Sequence, residues 1–269
     1  MATATKSQEP VLLEETIDGV RILRMNRPDK KNALSSDLVQ ALIAGIEAAA
    51  ADDEVRVVGL TGEGDAFCAG ADLKERRPTG DAAAGQLSTE DQVVRLVSAI
   101  RVECEKPVIA GVGGIAIGAG LALAMCADMR IASTNARFHP GYARAGSSPD
   151  CGLSWTLPEE LGRERALRFL LRPRMSDANE ALELGLVGEV APSETFEQVF
   201  LERCREIAEV APIAAQQTKR LVTRAGLLVG LEDHLREEIA LAKRALSSED
   251  GREAVRAIFE KRRPRFVGR

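Results

Sequence analysis

The sequence predicts an α/β protein whose core is a mostly parallel sheet, followed by a helical C-terminal region. Two short β-branched runs, at residues 55–60 and 107–112, each lead through glycines into a helix-compatible segment. This repeated order of strand, turn and helix is typical of a parallel sheet. The 269 residues, of which 45% are apolar, are enough to bury a sizeable core.

The first predicted element is a β-hairpin at residues 11–26. Two β-rich runs, VLLEETI and VRILRMN, are separated by Asp18-Gly19, a dipeptide that favours a tight two-residue turn. Ser35 or Ser36 then stands where it can cap a helix, because the following apolar residues recur at i, i+3 and i+4 up to Ala49. We expect one face of this helix to pack on the sheet.

The remaining segments complete the predicted organisation. Residues 76–91, RRPTGDAAAGQLSTED, are rich in small and turn-forming types without an apolar period, so we expect a mobile loop there. From about Pro158 the apolar spacing becomes helical up to the basic end KRRPRFVGR. We therefore divide the chain into a core over residues 1–195 and a C-terminal helical region over residues 196–269.

Composition excludes several classes of protein. The net charge of −5 argues against a nucleic-acid binder, which needs a basic surface. Apolar runs fall short of the ~18 residues that would span a membrane, and the N-terminus MATATKSQEP carries no targeting pattern. The five cysteines are odd in number and lack metal-ligand spacing. We expect reduced thiols, no metal site and a cytoplasmic location.

Four segments carry a recognisable combination of residue types, namely NRPDKKNAL (26–34), FCAGADLKE (67–75), KPVIAGVGGIAIGAGLALAMCADMRIAS (106–133) and ALELGLVGEV (181–190). In this order and spacing they resemble the enoyl-CoA hydratase/isomerase, or crotonase, superfamily over roughly residues 10–265. The resemblance implies the crotonase fold, with repeated ββα units and a C-terminal helical region used in trimerisation. It also implies a coenzyme A thioester as substrate, no tightly bound cofactor, and a homotrimer or a dimer of trimers.

The resemblance further implies an oxyanion hole built from the backbone N–H groups of Ala71 and Ala119. Formation of a thioester enolate needs two hydrogen-bond donors aimed at the oxygen on which negative charge develops. The second position is usually glycine in the family, but alanine retains the N–H group and is a good residue at a helix start. The alternative is that both segments are only tight turns between a strand and a helix.

The acid/base residues depart from the hydratase pattern. The two glutamates of the family's hydratases correspond here to Ala122 and Tyr142, and neither is a general base near neutral pH. Asp150, in GSSPDCGLSW, matches an aspartate of the family's dienoyl-CoA isomerases, aryl-CoA dehalogenases and phenylacetate-pathway ring-epoxide isomerases; the Ser-Pro-Asp segment resembles the last group most. Asp150 is therefore either the acid/base or the N-cap of a helix starting near Cys151, and both roles are compatible.

Further residues are assigned to the ligand. Ala122, His139, Tyr142 and Trp155 are expected in the acyl pocket, although core filling is the ordinary role of such residues. The residues that the resemblance places around coenzyme A are Lys30, Lys31, Ala33, Ala69, Ala71, Asp72, Leu73, Lys74, Phe259 and Arg262.

Three functions compete at this point. The favoured one is an enoyl-CoA isomerase that shifts a double bond through an enolate held in the oxyanion hole, with Asp150 as acid/base. The second is an enoyl-CoA hydratase of fatty-acid or aromatic and alicyclic acid degradation. The third is an acyl-CoA-binding protein without catalysis, which the loss of both hydratase carboxylates suggests.

Overall fold

The computed structural model describes residues 9–72, 89–143, 148–172, 174–225 and 231–269. The strands are β1 (Leu12–Ile17), β2 (Val20–Met25), β3 (Val57–Gly62), β4 (Ala66–Cys68), β5 (Val108–Val112), β6 (Ile115–Ile117), β7 (Met129–Ser133), β8 (Arg137–His139), β9 (Ser176–Asp177) and β10 (Glu189–Ala191). The helices are α1 (Ser36–Ala51), α2 (Thr89–Ser98), α3 (Ala119–Cys126), α4 (Leu153–Leu161), α5 (Arg163–Leu171), α6 (Ala178–Leu184), α7 (Phe196–Ala208), α8 (Pro212–Arg224), α9 (Leu231–Ser247) and α10 (Glu249–Glu260). A 3-10 turn spans Pro28–Lys30, and a π-helical turn, Ala99–Glu103, continues α2.

The strands form two sheets, in the orders β1-β2-β3-β5-β7-β10 and β4-β6-β8-β9. The pairs β1–β2 and β8–β9 are antiparallel, and the other pairs are parallel. Successive pairs β3–β4, β5–β6 and β7–β8 each contribute one strand to each sheet. The predicted α/β class with a mostly parallel sheet is therefore confirmed, and the predicted ββα repeat is visible in this pairing.

The N-terminal elements are those that the sequence predicts. Asp18 and Gly19 have φ angles of 52° and 79°, the left-handed values that a tight two-residue hairpin turn requires, and they join β1 to β2. Ser35 is the N-cap of α1, and its hydroxyl accepts a hydrogen bond from Leu38 N at 3.2 Å. At the other end of α1, the buried Lys106 ammonium donates to the carbonyl oxygen of Ala49 at 2.8 Å. This cation complements the negative end of the helix dipole.

Two expectations change. Residues 89–91 of the expected loop are the first turn of α2, whereas residues 76–88 lie outside the described part of the chain. The region after Pro158 is not helical throughout, because β9 and β10 interrupt it and β10 pairs with β7. Strands of two and three residues are too short to show an alternating pattern in a sequence.

The larger sheet is covered by a helix on the face that carries its glycines. Phe200 of α7 is fully buried there, and a β-carbon on Gly111 would lie 2.8 Å from its ring. The absence of that carbon lets the ring lie against the strand.

No helix in the described residues is both long enough and apolar enough to cross a membrane.

Candidate active site

Residues 26–34 and residues 67–72 belong to two of the recognisable segments, and the structure interlocks them. Leu34 N donates to Gly70 O at 2.8 Å, and Asp72 N donates to Leu34 O at 3.0 Å. Arg27 joins the same two segments, because its guanidinium forms an ion pair with Asp72 at 2.9 Å and also donates to the Ala33 carbonyl. The sequence reasoning did not single out Arg27. Asp72 and Ala33 thus hold the segments together through this side chain.

This pairing sets the direction of the Ala71 N–H group. Leu34 forms a parallel bridge with Ala71, but its two hydrogen bonds go to the neighbours of Ala71, Gly70 and Asp72. In parallel pairing, the residue between those two bonded groups turns its own N–H and C=O to the opposite side. The N–H group of Ala71 therefore points away from Leu34.

The second predicted donor lies at the N-terminus of α3. The first intrahelical bond runs from Ala122 N to Gly118 O at 2.9 Å, so the N–H groups of residues 119–121 have no acceptor within the helix. Gly118 N is already occupied, since it donates to His139 O at 3.0 Å. Ala119 thus presents its N–H group at the positive end of the helix dipole, where negative charge is stabilised.

The structure brings the two predicted donor segments side by side. A β-carbon on Gly70 would lie 3.6 Å from Ala119 N, and one on Gly120 would lie 2.1 Å from Cys68 O. Gly70 has a φ of 97°, a left-handed value that suits glycine. These glycines allow the end of β4 and the start of α3 to touch. Two backbone donors that point to one place could stabilise an oxyanion.

Asp150 is paired with Tyr142. The Tyr142 hydroxyl donates to Asp150 Oδ1 at 2.6 Å, and the tyrosine is only 8% exposed. Burial, and next the hydrogen bond to Asp150, raise the pKa of the Tyr142 phenol, so that it remains a neutral donor. Helix α4 begins at Leu153 with Gly152 as its N-cap, two residues later than expected, so Asp150 does not occupy the N-cap position.

A small cavity of about 30 Å³ lies between the start of α3 and Cys151. Ala119, the predicted oxyanion donor, and Leu34 line one side of it, and Cys151, the residue after Asp150, lines another. The far wall is apolar and comes from α2 and the following π-helical turn, namely Val93, Leu96, Val97 and Ile100. Sequence reasoning missed this wall, although its four residues follow the i, i+3, i+4, i+7 spacing of an amphipathic helix.

None of the four residues expected in the acyl pocket lines this cavity. Ala122 and His139 are buried, and His139 Nδ1 accepts a hydrogen bond from Gly141 N at 2.8 Å. Tyr142 touches Asp150, as described above. Trp155 is 58% exposed and lines a separate groove of about 760 Å³ beside α8. Leu153, on the same helix, faces the core. Trp155 is two residues further along, and at that spacing a helical side chain points to another side.

The residues expected around coenzyme A form two groups. Lys30 and Lys31 stand on the surface beside the interlocked segments, in ion pairs with Asp29 and Asp65. Ala69 N donates to Lys31 O at 2.9 Å, which joins these segments further. Leu73 and Lys74 lie outside the described residues.

The other group is on and after α10. Phe259 is 82% exposed, and the Arg262 guanidinium is engaged by Glu253 and Glu260, both at 2.6 Å. The hydrogen bond from Arg262 lowers the pKa of Glu253 to about 2.

Across the described residues, no three His, Cys, Asp or Glu side chains are grouped as metal ligands would be.

Comparison with known proteins finds related sequences and a related fold. The sequence profile described as Enoyl-CoA hydratase/isomerase matches residues 15–269. A probable enoyl-CoA hydratase of Rhodobacter capsulatus is 37% identical, over 95% of this chain and 97% of its own. The 1,2-epoxyphenylacetyl-CoA isomerase of Escherichia coli is 34% identical, over 96% and 98%. The crystal structure of a putative enoyl-CoA hydratase from Streptomyces coelicolor, 32% identical, superposes with a TM-score of 0.89 and full coverage of both chains.

Proposed function

The chain belongs to the enoyl-CoA hydratase/isomerase family, and from this premise we propose that it is an acyl-CoA isomerase that moves a double bond along the acyl group. Its substrate is a coenzyme A thioester with an unsaturated acyl chain. The proposed catalytic groups are the backbone N–H groups of Ala71 and Ala119, together with the carboxylate of Asp150.

The two N–H groups stabilise the enolate. When a proton leaves the α or γ carbon, negative charge moves to the thioester oxygen, and both donors strengthen their hydrogen bonds to it. The loss of one such donor typically costs about 3–4 kcal/mol of transition-state stabilisation. The open N-terminus of α3 and the outward direction of the Ala71 N–H group support this role.

The observation that carries the isomerase proposal is which positions of the candidate site hold a carboxylate and which do not. Asp150 directly precedes Cys151, which lines the cavity, whereas Ala122 and Tyr142 stand where the family's hydratases are expected to have glutamates. A single carboxylate is sufficient to take a proton from one carbon and return it to another. Syn addition of water, by contrast, is served by two carboxylates that position the water and transfer its proton.

Hydration is the second candidate, and the names of relatives favour it. The Rhodobacter relative is called a probable enoyl-CoA hydratase, and a further Escherichia coli relative, 34% identical over 93% of this chain and 96% of its own, is called 2,3-dehydroadipyl-CoA hydratase. In this case Asp150 would activate the water.

A homotrimer or a dimer of trimers remains part of the proposal, and light scattering of the purified protein tests it.

The decisive experiment follows both reactions at once. The purified protein and its Asp150→Asn variant are incubated with 2-enoyl-CoA and 3-enoyl-CoA thioesters in D₂O. Mass spectrometry and NMR then report deuterium uptake, the double-bond position and any product heavier by one water. Asp177→Asn is the matched control, because Asp177 is an exposed N-cap of α6 and asparagine caps a helix equally well.

Each outcome selects one function. Exchange and bond migration without hydrate, lost in Asp150→Asn and kept in Asp177→Asn, support the isomerase. Hydrate as the main product replaces this proposal with the hydratase. If thioesters bind tightly but neither the protein nor its variants change them, the protein is a binder and the isomerase proposal is rejected.

A further inference from the structure

Tyr142 is the one tyrosine of the chain, and its hydroxyl lies inside the candidate site. Buried tyrosine hydroxyls normally find a hydrogen-bond partner. Here the partner is the Asp150 carboxylate, at 2.6 Å, a length typical of a hydrogen bond to a charged acceptor. The phenol remains protonated near neutral pH, since burial disfavours its anion. It can therefore hold the carboxylate but cannot act as the base.

The backbone that carries Tyr142 is fixed to the N-terminus of α3. His139 O accepts a hydrogen bond from Gly118 N at 3.0 Å, and His139 Nδ1 accepts one from Gly141 N at 2.8 Å. Gly141 has a φ of 82°, and a β-carbon on it would lie 3.0 Å from Gly118 Cα. The turn formed by residues 139–142 is thus packed directly against the residue that precedes Ala119.

We propose that Tyr142 is a positioning residue that holds the Asp150 carboxylate at a fixed place relative to the Ala119 N–H group. This inference rests on the proposed function. One side chain then joins the two halves of the site, since its backbone is tied to α3 and its hydroxyl to the carboxylate. Enolate formation needs the base and the oxyanion donors in register on one substrate, and small misplacements lower the rate steeply. Asp150 moves the proton, while the tyrosine keeps its own.

The test removes only the hydroxyl, in Tyr142→Phe. The ring still fills its place, so the fold is retained. We expect kcat for the isomerisation of a 3-enoyl-CoA to fall about tenfold, the usual loss for one hydrogen bond to a charged group. KM is expected to stay unchanged, because the hydroxyl contacts the carboxylate rather than the thioester. A residue with only a structural role would lower the melting temperature and leave kcat alone.

Thr61→Val is the matched control. The Thr61 side chain is also buried, and its hydroxyl donates to Gly111 O at 2.8 Å between two strands of the larger sheet. Its removal deletes one buried hydrogen bond outside the site. We expect Thr61→Val to lose stability without losing kcat, which is the reverse of Tyr142→Phe.

A second measurement does not depend on activity. The Raman doublet of tyrosine reports the hydrogen bonding of its hydroxyl, and with one tyrosine the signal comes from Tyr142 alone. The doublet is expected to change in Asp150→Ala and to persist in Thr61→Val. An unchanged doublet in Asp150→Ala overturns the inference, because the hydroxyl then does not bond to that carboxylate.

The kinetic outcomes separate this inference from the proposed function. If Asp150→Asn is inactive but Tyr142→Phe keeps the full kcat, the proposed function stands and the positioning role is overturned. If the unmodified protein fails to isomerise any thioester, both fall together. A selective loss of kcat in Tyr142→Phe, with an altered doublet in Asp150→Ala, supports the inference.

Discussion

The ammonium group of Lys219 lies 2.8 Å from Asp128 Oδ2 at the floor of the groove beside α8. The same carboxylate oxygen accepts a hydrogen bond from Val108 N, at the start of β5, at 2.7 Å. Lys219 also donates to the carbonyl oxygens of Ile100 and Lys106, at 3.1 and 3.0 Å. One side chain of α8 therefore connects this helix with the larger sheet and with the π-helical turn that lines the cavity.

We expect Lys219→Met to destabilise the protein by about 3–5 kcal/mol, because it leaves the largely buried Asp128 carboxylate without its cation. Urea unfolding measures this change. Lys243→Met is the control, since Lys243 is exposed on α9 and its replacement should cost less than about 1 kcal/mol. Equal stabilities of the two variants would contradict the role assigned to Lys219.

The local elements of the fold could be predicted from the sequence because their signals are short and strong. The Asp18-Gly19 turn, the Ser35 cap and the β-branched runs of β3 and β5 each depend on neighbouring residues only. β9 and β10 could not be predicted, because they exist through pairing with β8 and β7 rather than through a pattern of their own. These two strands therefore depend on tertiary contacts and not on local sequence.

The candidate site, like the fold, could be predicted from the sequence only in part. The resemblance pointed to Ala71 and Ala119, and in the structure Gly70 and Gly120 let the end of β4 lie against the start of α3. The Tyr142–Asp150 pair and the wall formed by α2 were not foreseen, because they depend on how separate segments pack. Trp155 was expected in the acyl pocket on its nearness to Asp150 in the sequence, but α4 turns its side chain toward α8.

The wall of the cavity should set the preferred length of the acyl group. Val97 lines the cavity and lies 3.4 Å from the β-carbon that Gly152 lacks. Val97→Ala would enlarge the space by two methyl groups and should raise the ratio of kcat/KM for a longer over a shorter enoyl-CoA by about tenfold. Val94→Ala is the control, since Val94 is on the same helix but 66% exposed. An unchanged ratio in Val97→Ala would place the acyl group elsewhere.

Cys151 should report occupation of the same cavity. It lines the cavity and is partly exposed, whereas the other four cysteines are buried. We expect iodoacetamide to label Cys151 first and a bound acyl-CoA to slow that labelling. Peptide mapping by mass spectrometry locates the label, and coenzyme A without an acyl group is the control. Labelling at the same rate under saturating acyl-CoA would argue against the cavity as the acyl site.

The buried thiols predict a loss of stability in alkaline solution. Burial raises the pKa of Cys68, Cys126 and Cys204 to about 12. Below the ordinary pKa of a thiol, the cysteines are protonated in both the folded and the unfolded state. Above that pKa only the unfolded state loses the thiol protons, so the free energy of unfolding falls as the pH rises toward 12. Each thiol contributes up to about 1.4 kcal/mol per pH unit over this window. In urea unfolding, Cys204→Ala should therefore show a shallower decline than the unmodified protein, and an equal slope would contradict this assignment.

The proposed oxyanion hole depends on the closeness of α3 to β4, which Gly120 makes possible. A β-carbon at this position would lie 2.1 Å from Cys68 O and 2.8 Å from Cys68 Cβ, and neither atom is the end of a flexible side chain. Gly120→Ala must therefore push the start of α3 away from β4, which separates the N–H groups of Ala71 and Ala119.

We expect Gly120→Ala to lower kcat/KM by about a hundredfold or more, as for the loss of one oxyanion donor, and to lower the melting temperature as well. Gly188→Ala is the matched control, because its added β-carbon would meet only Arg130 O, at 3.8 Å, which is an ordinary contact. Full activity in Gly120→Ala would mean that the enolate oxygen is bound elsewhere, since the two donors cannot both reach it once the helix has moved.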